Sequence, residues 1–325
     1  MMSKYRVEPL AALAPDDGFP QWDAHPLRGG FAARLYPTVA PAHTDCSAQV
    51  IGPAGPVVRL RATIGPDEIS YWGLPALVTW KPDAEAKHIK SGLAATLDHL
   101  TAAAKAGGRS RLVIGSAAQA DPDPLAALLA DRGAEGLIQA SAQVDLTRPE
   151  ESLRADIRDS YRSLTNWGSR NLSLSFVNAA HPDRAAFNRF PEFHARVAGG
   201  RRRGDDYWQV YWTEIVEGRA EMVLGFLPSE DGKDGTLVAG SIVVWAGGTA
   251  YYASGVYDRD KFDKPLGHWP LWTAILRAKA AGLRAFDLGE SPSRGHADAK
   301  EASIAFFKRG FTSGRNFRIR WVLGV

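Results

Sequence analysis

Apolar positions recur along this chain with two different spacings, and the alternation between them divides it. Between residues 31 and 80 the apolar runs are short and broken by Gly and Pro, as in VRLRATIG and SYWGLPALVTW, which predicts strands and turns. Ile89, Leu93, Leu97 and Leu100 then fall four, four and three apart. That spacing puts them on one face of a helix over residues 83–106, ended by Gly107-Gly108. RLVIG (111–115) predicts a buried strand, Pro124 opens a helix that runs to Asp131, and SAQVDL (141–146) predicts a further strand. Residues 1–25 carry Pro9, Pro15 and Pro20 with little periodicity and are expected to form an irregular arm. Thr147-Arg148-Pro149 marks a boundary, because the residue before a proline is pushed out of the helical region.

The second half repeats the pattern. A single helix is expected over residues 151–167, with Leu153, Ile157 and Leu164 inward, then the strand LSLSFV and a helix over residues 182–198. YWQVYWTEIV, AEMVLGFL, TLVAGSIVVWA and TAYYASGVY are read as strands, with the polar tract PSEDGKDG as a hairpin loop. In the first of these, alternation places residues 208, 210 and 212 on one face and 207, 209 and 211 on the other. The helix LGHWPLWTAILRAKAAG, the strand RAFDLG, the helix ADAKEASIAFFKRG and the strand NFRIRWVLGV follow. Strands interleaved with helices in both halves predict a mixed α/β (α+β) fold in two domains, residues 1–148 and 149–325.

Composition narrows the class. The 325 residues are 45% hydrophobic and 23% charged, which excludes a disordered chain and a collagen-like repeat. Cys46 is the sole cysteine, so no internal disulfide and no thiolate zinc cluster can form. No run approaches the roughly 20 apolar residues of a membrane span, and no signal-like segment opens the sequence, so a cytoplasmic protein is expected. The net charge of +3 is unevenly spread: 14 basic against 16 acidic residues up to Glu150, and 25 against 20 after it. Arg supplies 28 of the 39 basic residues, and its planar fork grips phosphate and carboxylate in pairs of hydrogen bonds. No H-E-x-x-H spacing and no G-x-S-x-G elbow is present, so neither a metal centre nor a serine hydrolase is expected.

The run from Leu237 to Phe311 resembles the FemABX family, aminoacyl-tRNA-dependent non-ribosomal peptidyltransferases built from two GNAT-like acyltransferase domains. The strand pair LVAGSIVVWAGGTAYYASGVYD, the unit LWTAILRAKAAGLRAFDLG and the closing IAFFKRGF, similar to the family's FK-x-GF motif, carry the likeness. Upstream, SLRADIRDSYRSLTNWGSRNLSLSFV resembles the Arg-bearing helix that opens the family's second domain. The resemblance implies two tandem GNAT-like domains with the active cleft in the second. It also implies transfer of an aminoacyl group from aminoacyl-tRNA to an amine of a cell-wall precursor or a small natural-product acceptor. No cofactor beyond that co-substrate is implied, tRNA would be a transient partner, and a monomer or weak oligomer is expected. No heptad insertion for a coiled-coil arm is present, as in the armless members.

Lys308 leads the candidates: beside Phe307 and Arg309, in the stretch that matches the family motif, it would stabilise a developing oxyanion. Its other reading is a favourable charge at a helix C-terminus. Asp287 and Glu290, at the end of a strand, would orient or deprotonate the amine, or merely cap a turn. Tyr252, Tyr257, Phe307, Arg309, His268 and Trp269, with Arg158 and Arg162, would line the substrate cleft. Arg154, Arg158 and Arg162, four apart on one helix, form a stripe that could grip phosphate, or a solvated face with Asp156 and Asp159. Arg201-Arg202-Arg203 is a second basic candidate, and the basic side chains of the last 25 residues are where RNA would bind. His268 and His296 sit in loops, and a loop histidine is more often solvated than catalytic.

A CoA-dependent enzyme would need a loop of free amides at a helix start, and Lys264-Pro-Leu-Gly267-His268-Trp269 offers a proline and a bulky ring there instead. Acyl-CoA is therefore the less favoured donor. The formal match Gln49-Val-Ile-Gly52-Pro-Ala54 leads into a strand and is discounted. Two alternatives remain open: an acyl-CoA-dependent GNAT N-acyltransferase, and a non-catalytic ligand-binding descendant of the fold.

Overall fold

In a computed structural model of the chain, residues 4–10, 19, 25–118, 123–229, 235–291 and 298–325 are described. They form two compact units, one of residues 1–139 with 317–325 and the other of residues 140–316. The expected division at 148/149 differs from this in two respects. The chain passes from one unit to the other inside a strand rather than at Pro149, and its last strand returns to the first unit.

The strands of the first unit are β1 (Arg6–Pro9), β2 (Thr44–Asp45), β3 (Ala48–Gly52), β4 (Gly55–Arg61), β5 (Thr63–Ile64), β6 (Glu68–Ser70), β7 (Ala76–Trp80) and β8 (Arg111–Ala117). Its helices are α1 (Gly30–Leu35), α2 (Ala86–Ala106) and α3 (Pro124–Asp131). β1 pairs with β3, so the N-terminal segment is not wholly irregular. α1 was not expected among the strand signals; Phe31, Ala32 and Leu35 are buried on it. The predicted face of α2 is confirmed, with Leu93, Leu97 and Leu100 fully buried against Val58, Leu60 and Leu112. The strand order in this unit is β1-β3-β4-β7-β8-β15, with β15 (Arg315–Gly324) antiparallel to β8. Gln49–Ala54 forms the β3–β4 hairpin and no helix start.

The second unit takes the end of β9 (Glu135–Asp145), then α4 (Glu150–Asp156), α5 (Asp159–Asn171), β10 (Ser173–Val177), α6 (Arg184–Val197), α7 (Asp205–Val216), β11 (Ala220–Leu227), β12 (Thr236–Ala246), β13 (Thr249–Tyr257), α8 (His268–Ala280), β14 (Ala285–Glu290) and α9 (Ala299–Arg309). Its sheet order is β9-β14-β13-β12-β11-β10. β11 and β12 are antiparallel neighbours, as a hairpin requires, although residues 230–234 of its loop lie outside the described residues.

Two expectations fail here for physical reasons. YWQVYWTEIV is not a strand but lies in α7, where Trp208, Tyr211 and Ile215 are buried at spacings of three and four. Asp205 and Asp206 in its first turn favour the helix start, so helical periodicity overrides the strand preference of the aromatic residues. The helix over residues 151–167 breaks at Ile157 and Arg158, both extended with ψ of 135° and 137°. Ile157 keeps its place in the core, 1% exposed, while the backbone amide of Arg158 donates to the Gly310 carbonyl at 2.9 Å. The arginine stripe is thereby dispersed.

Candidate functional site

β13 and β14 pair in parallel at three positions only, Thr249 with Ala285, Ala250 with Phe286 and Tyr251 with Asp287. Both strands then bulge on the side away from each other. Against β12, Ile242 and Val243 face Ser254 and Tyr252, leaving Ala253 as the extra residue of β13. Against β9, Asp287 and Glu290 face Gln143 and Ser141, and Gly289 within that bulge takes φ of +87°. A bulge bends its strand, so the pairing ends and a slot opens between the two.

Lys308, in the last turn of α9, reaches this slot. A Cβ placed on Gly289 would lie 2.9 Å from Lys308 Nζ and 3.6 Å from Tyr251 Oη, so the ammonium rests against a bare backbone where glycine leaves room. Asp287 is 3% exposed and accepts hydrogen bonds from the Gly289 amide at 2.6 Å and the Ser141 hydroxyl at 3.2 Å. Burial lowers the Lys308 pKa, while the Asp287 and Glu290 carboxylates oppose that shift. Burial, aided by the same two carboxylates, pushes the Tyr251 phenol up. Lys308, Asp287 and Glu290, the catalytic candidates of the sequence, are electrostatic neighbours here. Sequence reasoning missed Tyr251, Ser141 and Gly289; only Gly289 had a signal, a glycine interrupting a strand.

Asp287→Asn keeps an acceptor for the Gly289 amide but removes a charge that holds the Lys308 proton. Its expected result is a further fall in the Lys308 pKa, read by NMR titration of lysine-labelled protein. An unchanged titration would show that the carboxylate does not act on the ammonium.

An aromatic wall backs the slot. Tyr161, 6% exposed, packs edge-on to His268 at 4.4 Å between ring centroids and to Phe311 at 5.3 Å. Phe307 lies 5.3 Å from both His268 and Phe311 and 6.0 Å from Tyr257. His268 is no solvated loop residue: it starts α8, and burial takes its pKa down to about 4, so it is neutral at pH 7. His296 lies outside the described residues. Arg158 stacks over the Phe306 ring at 3.9 Å and the Tyr161 ring at 4.8 Å. Among the described residues its Nη1 is buried without a hydrogen-bond partner, as is Nδ1 of His268.

The remaining candidates are placed otherwise. Arg162 pairs with Asp159 and Arg154 bonds Asn166, both at the surface. Arg201 pairs with Asp205, and Arg203 lies over the Tyr207 ring. Arg309 is half-buried behind Lys308, and its charge depresses the Arg315 pKa as a secondary effect after burial. Tyr252 and Tyr257 share a hydrogen bond of 2.5 Å between their hydroxyls.

The start of α8 is filled with apolar side chains. A Cβ on Gly168 would fall 2.3 Å from Trp269 Cβ, and one on Gly267 would fall 2.8 Å from the Tyr257 ring. Leu172 and Leu266 join Val238 and Ala239 in a buried cluster against which Trp167, Tyr257 and Trp269 pack. Trp269 is thus a packing residue between α5 and α8. Among the described residues no group of three or more His, Cys, Asp or Glu could hold a metal ion, and no helix is long and apolar enough to cross a membrane.

Residues 151–301 match the acetyltransferase (GNAT) domain family, a span that ends before Lys308. No curated protein matches the sequence. Among solved structures, FemX superposes with a TM-score of 0.65 at 14% identity, covering 97% of this chain and 96% of that one. A tandem GNAT protein from the clavulanic acid biosynthesis pathway gives 0.56 at 20% identity, with 98% of each chain covered. The C-terminal domain of a putative lysylphosphatidylglycerol synthetase from Agrobacterium fabrum gives 0.57 at 14% identity, covering 94% of this chain and 90% of that one. With residues 151–301 matching the GNAT domain model and two mixed α/β units, the chain has the fold shared by FemX and the tandem GNAT protein.

Proposed function

We propose that the second unit forms an amide bond by transferring an aminoacyl group from aminoacyl-tRNA to the amine of a cell-wall precursor or small molecule. The observation that carries this reading is the Lys308 ammonium held over Gly289 where β13 and β14 part. An aminoacyl ester is already activated, so the demands on the site are positioning and charge stabilisation. The amine attacks the ester carbonyl, the carbonyl electron pair moves to oxygen, and Lys308 faces that oxyanion. Collapse restores the carbonyl and expels the ribose oxygen, which leaves as an alcohol with the proton that the amine nitrogen gives up. Asp287 is committed to Gly289 and Ser141. That leaves Glu290, exposed at the slot, as the carboxylate that orients the incoming amine.

The choice of donor is supported by the apolar filling at the start of α8, where a CoA pyrophosphate would require free amides. The match to an acetyltransferase family favours the second reading, an acyl-CoA-dependent N-acyltransferase. One experiment separates them. The pure protein is incubated with a panel of amines and either total tRNA charged with the twenty amino acids or acetyl-CoA, and amide is followed by mass. Amide from charged tRNA alone is expected; amide from acetyl-CoA alone moves the assignment to the second reading, and amide from neither supports a binding protein.

A further inference from the structure

Tyr251 is the residue at the slot to which the mechanism above gives no task. It stands on the last rung that β13 shares with β14, opposite Asp287, so its side chain leaves the sheet where the two strands part. Its hydroxyl comes within 3.6 Å of the place that a Cβ on Gly289 would take. The Lys308 ammonium, from the last turn of α9, comes within 2.9 Å of the same place. Two donors on different elements thus converge on one bare spot of backbone. The spot is kept bare twice over. A side chain on Gly289 would crowd the ammonium, and φ of +87° there is a conformation that suits glycine alone.

The groups around this spot favour the protonated form of both donors. Asp287 and Glu290 on β14 hold the proton on Lys308 against the effect of burial. On Tyr251 burial is the main cause, and Asp287, Glu290 and the Tyr207 phenol of α7 add to it, all pushing the Tyr251 phenol up. At neutral pH the slot therefore meets a cation from one side and a neutral O–H from the other. A second cation so close to the first would be repelled by it, whereas a phenol donates at no such cost.

We propose that Tyr251 is a second donor of the oxyanion site, giving its O–H to the carbonyl oxygen of the donor ester alongside Lys308. This rests on the acyl-transfer reading. As the amine nitrogen bonds to the carbonyl carbon, the electron pair of the C=O bond moves onto oxygen. That oxygen then accepts one hydrogen bond from the ammonium and one from the phenol. Collapse returns the pair to the C=O bond as the C–O bond to ribose breaks. No proton leaves Tyr251, and the phenol ends as it began.

The test is Tyr251→Phe, which keeps the ring and removes only the donor. It is assayed with the amine panel and whichever of charged tRNA and acetyl-CoA the wild type uses. Expected is a fall in kcat of about 100-fold at unchanged KM for the amine, the cost of one oxyanion donor. A readout that packing alone would not move comes from 3,5-difluorotyrosine in place of Tyr251, whose phenol is more acidic. Its activity should fall away at lower pH than that of wild type, because a phenolate accepts hydrogen bonds and donates none. Wild-type kcat in Tyr251→Phe, a change in KM alone, or an unmoved pH profile overturns the proposal while leaving acyl transfer standing. Wild-type protein that makes amide from neither donor overturns acyl transfer, and the second donor with it. Should Tyr251→Phe fail to melt cooperatively, the fluorinated protein, which keeps both ring and hydroxyl, decides alone.

Discussion

Lys308→Ala is expected to fold and to lose roughly 100- to 1,000-fold in kcat, the cost of removing one donor from an oxyanion site. The side chain ends on the bare backbone of Gly289 beside buried Asp287. Its charge is therefore preorganised for a negative charge that appears only during reaction. The same arrangement costs stability. Burial lowers the Lys308 pKa below its ordinary 10.5, so the folded state holds this proton less tightly than the unfolded chain does. The deficit is present in full below the lowered pKa and disappears as pH rises through 10.5. Lys308→Met is accordingly more stable than wild type at pH 7, with a margin that shrinks towards pH 10.5 in denaturant titrations. Full turnover in Lys308→Ala, measured with saturating donor, would remove the residue from the chemistry.

Gly310→Ala carries the second large effect. A Cβ there would sit 2.0 Å from Tyr161 Cε2, inside the ring cluster of His268, Phe307 and Phe311. The Gly310 carbonyl also accepts the Arg158 amide, so the backbone cannot retreat without losing that bond. Overpacking of this kind costs about 1–3 kcal/mol, which lowers the melting temperature by several degrees. Activity should fall further than stability does, because α9 ends at this point and any shift displaces Lys308. In a Tyr161→Leu background the same alanine should cost less, the coupling a double-mutant cycle reads. An equal cost in both backgrounds would place the strain elsewhere.

Local periodicity is enough to read α2, α6 and α8, because each buries one face at helical spacing, whereas α9 buries only Ala305. It was not enough for α7, where aromatic residues prefer strands by propensity but pack at helical spacing. Nor could it show the break at Arg158, whose backbone partner Gly310 is remote in sequence. The site divides in the same way. Lys308, Asp287 and Glu290 were legible because a motif and a strand end carry them. Tyr161 and Tyr251 were not, since a buried tyrosine looks the same in sequence whether it packs a core or lines a slot. The Ala253 bulge, which helps to open that slot, has no sequence mark at all.

The return of β15 to the first unit sets an order of assembly. Residues 317–325 leave the ribosome after the whole of the second unit, yet β8 takes its antiparallel partner from them. During synthesis β8, paired on its other side with β6 and β7, therefore waits with one edge open, the kind of edge that recruits foreign chains. A fragment cut at the motif-based boundary would keep that edge permanently. Vectorial folding, in which each half finishes before the next begins, is closed to this topology.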